Sequence, residues 1–416
     1  MNIEEAKCTK NVNIVVFLMI SLSFFEYMLR FTVLGSLKLY FGIVVIVFLY
    51  AILEAITNLK KVWVIWIPFY IVVVGQWVIY SYSAYYLLIY ITAIGIPMMF
   101  MKCSEKLIER SIKMISWISL FFAIGCIFQK VFESAYLSIV SNLFISEIRS
   151  GILKWNAWGM MSGVSYQPTA AGATICIGIV VSWINTNKKN IIVQVILYFA
   201  LLLTAKRMFL IISIVVPIIV YYVSGSKQSK FSKTLFIIGI AGTILYIFNS
   251  LSNQESELII VDRLINAIES NDLEEVTSGR NTLMRNALDL YKSDIFFGIG
   301  WGNFSKIYGT SVHNVYVQLL AETGTLGFIS FIFPAVITLI GTILKARELE
   351  GESQMVIYTV KFSLGIQLLF LFYSFTGNPL YNTQWIYLYF IACSLYYVIK
   401  ICKKGSIANK NFEPQR

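Results

Sequence analysis

Residues 191–223 read IIVQVILYFALLLTAKRMFLIISIVVPIIVYYV, an apolar stretch broken by one basic pair, Lys206-Arg207. A membrane span takes about 20 apolar residues, so the stretch reads as two short spans with the basic pair at their turn. Working outward, apolar runs recur at about 12–29, 34–57, 62–80, 84–101, 112–132, 167–184, 190–205, 208–223, 232–249, 324–344, 355–375 and 383–400. The whole chain fits that pattern. Its 416 residues are 58% apolar and only 13% charged, with a mean hydropathy of +0.73, whereas soluble proteins are roughly a quarter charged. Seven prolines and six cysteines exclude a collagen-like, disulfide-rich or disordered chain. No Lys/Arg stripe with interleaved aromatics appears, so the net charge of +11 reads as membrane topology and not as a nucleic-acid surface. The expected fold is an all-α polytopic membrane protein of about 12 transmembrane helices.

Twelve spans put both termini on one side, and the basic residues say which. With the amino terminus inside, the inner segments hold twenty lysines and arginines, from Lys7 and Lys10 to Lys410 and Arg416. The short outer connections hold Arg30, Lys206 and Arg207. Both termini are therefore expected in the cytoplasm. The first run carries Glu26 and no small-residue cleavage site follows, so it reads as a span and not a signal peptide. Two long loops, at about 133–166 and 250–312, fall outside, and none of the six cysteines lies in them. The expected parts are spans one to nine (1–249), an extracytoplasmic helical loop between spans nine and ten carrying the site (250–323), and spans ten to twelve with a tail (324–416).

Long loops are usually functional, and the unusual residues lie on the outer side. The single histidine, His313, stands in Ser311-Val312-His313-Asn314-Val315-Tyr316-Val317-Gln318-Leu319-Leu320-Ala321-Glu322-Thr323-Gly324. Ser311 as N-cap and Gly324 as stop predict a helix over 312–323, with His313 at the outer mouth of the membrane. It is either a satisfied surface histidine or a proton-transfer group, with Asn314, Gln318 and Glu322 beside it. One histidine and no outer cysteine exclude a His/Cys metal site. Asp272, Glu274 and Glu275 read as a solvated acidic run or a loose divalent-cation site.

From Ser278-Gly279-Arg280 onward, helical spacing places Leu283, Met284, Ala287, Leu288 and Tyr291 on one face, with Arg280 near its middle. Arg285 lies about 140° away. An arginine on an apolar stripe in a first turn is costly unless an anion meets it; the alternative is an arginine snorkelling along a membrane-surface helix. Lys206-Arg207 is likewise either a functional site at membrane depth or a topogenic turn. The segment Gly298-Ile299-Gly300-Trp301-Gly302-Asn303-Phe304 lacks the spacing of a nucleotide loop and reads as a tight turn holding the Arg280 helix against the His313 helix. Arg149-Ser150-Gly151 and Tyr166-Gln167-Pro168 bracket the other outer loop, where they are placed to line the same cavity.

Taken together, Ser278-Gly279-Arg280, the glycine turn at 298–304 and His313-Asn314-x-Tyr316-x-Gln318-x-x-Ala321-Glu322-Thr323-Gly324-x-x-Gly327 resemble the O-antigen ligase and Wzy-type polysaccharide polymerase family. The likeness is dense over about 278–330 and extends to Thr204-Ala205-Lys206-Arg207; elsewhere it is one of layout. The resemblance implies a GT-C-like membrane glycosyltransferase of the bacterial cytoplasmic membrane with an extracytoplasmic active site. It implies transfer of glycan from an undecaprenyl diphosphate carrier to an acceptor hydroxyl, with inversion and without metal or cofactor. By the same implication Arg207 and Arg280 bind the diphosphate and His313 acts on the acceptor. Lys206, Asn314, Gln318, Glu322, Arg149 and Tyr166 are then the candidate substrate-binding residues. Lys206 departs from the small or polar residue expected before Arg207, which leaves open which of the two engages phosphate. The implied partners are the lipid-linked donor, the glycan acceptor and membrane lipid, and further a flippase and a chain-length regulator. A polymerase is the favoured reading, an O-antigen ligase using a lipid A-core or other surface acceptor the close alternative. A lipid-glycan flippase or transporter is the alternative of another class, although such folds typically divide six plus six around a long central loop.

Overall fold

A computed structural model describes residues 61–80, 105–165, 167–184, 190–224 and 280–395, with isolated positions between 14 and 53 and at 87, 90 and 93. The described residues are helical and form no strand; an isolated bridge joins Thr32 and Phe144. A 3-10 turn, Lys61–Trp66, opens into α1, Ile67–Tyr80. Then follow α2 (Glu105–Val131), α3 (Glu133–Leu143), α4 (Ser146–Ala157), α5 (Pro168–Ile184), α6 (Asn190–Leu203) and α7 (Arg207–Val223). The second described half holds α8 (Arg280–Ser293), α9 (Asn303–Tyr308), α10 (Val315–Arg347), α11 (Gln354–Tyr373) and α12 (383–395).

Three helices, Lys106–Val131, Val315–Arg347 and Gln354–Tyr373, are long and apolar enough to cross a membrane. Shorter apolar helices occupy Val64–Tyr80, Pro168–Ile184, Ile191–Leu203 and Arg207–Val223. The apolar runs predicted at 62–80, 112–132, 167–184, 190–205, 208–223, 324–344 and 355–375 each coincide with one of these helices. The span expected at 232–249, the acidic run at 272–275 and most of the loop expected at 250–312 lie outside the described residues. The stretch 133–166, expected as an outer loop, is built over its described part of α3 and α4, sealed by Tyr136, Val140, Phe144 and Ile152.

In the bundle, α5 packs against α2, α6, α7 and α11. Its small residues make this close approach feasible: a Cβ on Gly178 would run into Ser119 of α2, and one on Gly172 would stand 3.1 Å from Phe209 of α7. Large isoleucines on the outer side of α6, among them Ile191 and Ile192, remain exposed, as befits a face turned to lipid. A second group forms around α10, which packs against α1, α8 and α11. Its centre is aromatic. Trp66 lies 4.8 Å from Phe390, Phe370 stacks on Tyr389 at 4.1 Å, and Trp301 meets Tyr90 at 4.9 Å.

Candidate active site

The α10 helix begins one cap later than the sequence suggests. Asn314, not Ser311, is the N-cap: its backbone is extended and its Oδ1 accepts a hydrogen bond from Val317 N at 3.1 Å. His313 therefore precedes the helix instead of riding on it, held at φ 57°, a left-handed conformation rare for a residue with a Cβ. Gly324 does interrupt the helix as expected, with φ 64° and ψ −169°, but the chain resumes at once and continues to Arg347.

That break receives the glycine turn. Ile299 N donates to Ala321 O at 3.0 Å and Gly300 N to Glu322 O at 2.9 Å, while Thr325 N donates to Ile295 O at 2.7 Å. Gly298, Gly300 and Gly302 all have positive φ, which is why side chains are missing there. Glu322 is fully buried beneath the turn. Its carboxylate accepts hydrogen bonds from Gly302 N at 2.8 Å, Phe304 N at 3.3 Å, Gln318 Nε2 at 3.1 Å and the Tyr381 hydroxyl. From α1, Gln76 donates to Phe297 O and accepts from Trp301 N, and Tyr80 donates to Gly298 O.

On this scaffold α8 lays its inner face, with Leu283, Met284 and Ala287 packed against Phe304, Val312 and Ala321. Leu288, expected on that face, is 38% exposed. It lies about 80° round from Arg280, beyond the contact stripe. Arg280 is half-buried on the inner face, while Arg285 is exposed.

Arg207, Lys206, Arg280 and His313 come together on one cavity of about 730 Å³, a size usual for small-molecule sites, roughly 300–1,000 Å³. The ends of several helices meet there. Pro168 and Thr169 at the start of α5, Arg207 at the start of α7, and Asn382 and Gln384 at the start of α12 line it, as does Arg280 of α8. Helix N-termini carry partial positive charge and unpaired N–H groups. Added to three cationic side chains, they make an anion site. No carboxylate is among the described residues lining the cavity. Lys206 also stands 5.4 Å from the ring of Trp155, another lining residue.

Burial, with the charges of Arg280 and Lys206, lowers the pKa of His313 below its usual 6.5. The imidazole is therefore neutral at pH 7 and able to take a proton. Burial also lowers the pKa of Arg280, with Tyr373 opposing the fall and Arg207 adding to it.

The other expected site residues stand elsewhere. Asn314, Gln318 and Glu322 do not line the cavity, because their polar atoms are committed to the scaffold. Asn314 Nδ2 donates to Phe375 O at 3.2 Å, and Gln318 Oε1 accepts from Val312 N at 3.1 Å and Asn378 Nδ2 at 2.7 Å. Arg149 does not line it either; its Nη2 donates to Phe144 O at 3.2 Å. Tyr166 lies outside the described residues, but its neighbour Gln167 reaches the cavity. What sequence reasoning missed is the connection from α11 to α12, which contributes Thr376, Gly377, Asn378 and Asn382. Its signal was the polar, Gly/Pro-punctuated run Thr376-Gly377-Asn378-Pro379 between two apolar runs.

Residues 192–332 match the family model described as O-Antigen ligase. The chain carries an O-antigen ligase family domain. That segment includes Lys206, Arg207, Arg280 and His313, and stops before the loop at 374–382. The domain, with three helices able to cross a membrane, marks an integral membrane enzyme of surface-polysaccharide assembly. No curated protein matches the chain. Among the described residues, no group of three or more His, Cys, Asp or Glu is placed to hold a metal.

Proposed function

We propose that the protein polymerises undecaprenyl-diphosphate-linked oligosaccharide units into a surface polysaccharide on the outer face of the bacterial cytoplasmic membrane. The observation that carries this is the convergence of Arg207, Arg280, Lys206 and His313 on one cavity. In the reaction the bond between the anomeric carbon and the diphosphate oxygen breaks, and a bond from the acceptor hydroxyl oxygen forms on the opposite face. The configuration inverts. Charge builds on the departing diphosphate, where guanidinium forks set in place beforehand stabilise it. His313 takes the acceptor's proton. No metal has a part in this account.

The description of the matching family favours a second reading, a ligase that hands finished glycan to a lipid A-core or other surface acceptor. The positive-inside distribution supports cytoplasmic termini and an outward site for either one. Lipid-linked glycans from a deletion strain separate the readings. Accumulated single-repeat carrier indicates polymerase, and long polymer left on the carrier indicates ligase. Repeat units trapped on the inner side would overturn both in favour of a flippase.

A further inference from the structure

The polar lining of the cavity is of two chemical kinds: Lys206, Arg207, Arg280 and His313 are basic, and Gln167, Asn378, Asn382 and Gln384 make a neutral set rich in amides. Building on the diphosphate reading above, we propose that this neutral set binds the sugar ring next to the diphosphate, and that it selects an uncharged hexose or acetamido-hexose.

Three observations lead there. First, an amide offers donors and acceptors together, which suits hydroxyl and acetamido groups and gives a phosphate no countercharge. Second, part of the set's hydrogen-bonding capacity is unused. The Gln167 side chain makes no hydrogen bond to any described residue, while its backbone oxygen receives Ser165 Oγ and Ala171 N. Gln384 is held in place from behind, donating to Thr174 Oγ1 at 2.9 Å. Third, the neutral set lies outside the matched family segment, 192–332, whereas the basic residues lie within it. The division assigns the common leaving group to the basic residues and the identity of the sugar to the neutral set.

The test compares two ligands on purified protein in lipid nanodiscs: undecaprenyl diphosphate, and the lipid-linked glycan extracted from a deletion strain. The wild type is expected to bind the glycan-bearing lipid more tightly. Gln167→Met, which keeps length and removes the amide, should cut that preference about fivefold, the worth of roughly one neutral hydrogen bond. Gln167→Met with Gln384→Met should nearly abolish it. Affinity for undecaprenyl diphosphate should not change in either variant. Should the double variant unfold, the single variant decides, since the Gln167 side chain makes no hydrogen bond to any described residue. An unchanged preference in Gln167→Met, equal weakening toward both ligands, or no preference in the wild type would overturn the sugar assignment. Should the wild type bind the glycan-bearing lipid yet ignore undecaprenyl diphosphate, the diphosphate reading fails while the sugar assignment stands.

Discussion

His313 combines an unusual backbone with an unusual environment. Its backbone is left-handed, with φ 57°, just before the helix, and burial with the charges of Arg280 and Lys206 favours its neutral form. A base of lowered pKa stays active to lower pH, so the acid limb of kcat/KM, which reports free enzyme, should lie below 6.5. Lys206→Gln removes one of the charges that lowers the pKa, so the limb should move up. A limb that moves down, or stays put, would separate Lys206 from the histidine. His313→Ala should abolish transfer in a folded protein. His313→Gly should be equally inactive yet at least as heat-stable as the wild type, because glycine relieves the left-handed strain. Thermal unfolding with transfer assays on both variants checks the pair.

Helix α10 derives its shape from one residue. A Cβ at Gly324 would overlap the backbone of Phe296, and its φ of 64° already disfavours a side chain. Gly324→Ala should therefore destabilise by roughly 2–4 kcal/mol, from strain and overpacking together, and lower the unfolding temperature. Tolerance of alanine there would mean the glycine turn does not fix the break. Elements of this kind were half legible in the sequence. Long apolar runs announced α2, α10 and α11, because lipid leaves the backbone no alternative to helix. The cap was ambiguous, since Ser311 and Asn314 are both good cap formers three residues apart, and the contact of Asn314 with Val317 N decides it. The basic residues stood out because cations in a first turn or beside a span need a reason. Glu322 was expected at the site because it stands near His313 in the sequence; its carboxylate accepts hydrogen bonds from Gly302 N and Phe304 N of the glycine turn. Tyr166-Gln167-Pro168 was singled out as placed to line the cavity, and Gln167 and Pro168 do line it; the 374–382 loop was all but silent, since neutral amides at turns are ordinary until the fold brings them to one cavity.

At the scale of the whole molecule, the account requires chemistry performed by the chain's own cations and histidine at a membrane-embedded cavity. Purified enzyme supplied with lipid-linked glycan should keep its activity in excess chelator; a loss reversed by magnesium or manganese would direct attention to Asp272, Glu274 and Glu275. The account also predicts that geometry counts for more than charge at the two arginines, since a lysine keeps the positive charge but not the planar fork that grips two phosphate oxygens. Arg285, exposed on the far side of α8, is the internal control. The most direct measurement is the amount of polysaccharide made in cells at matched protein levels by Arg207→Lys, Arg280→Lys and Arg285→Ala. The first two should fall nearly as low as their alanine counterparts, and the third should match the wild type. Full activity in Arg280→Lys, or loss of activity confined to Arg285→Ala, would contradict a diphosphate held between Arg207 and Arg280.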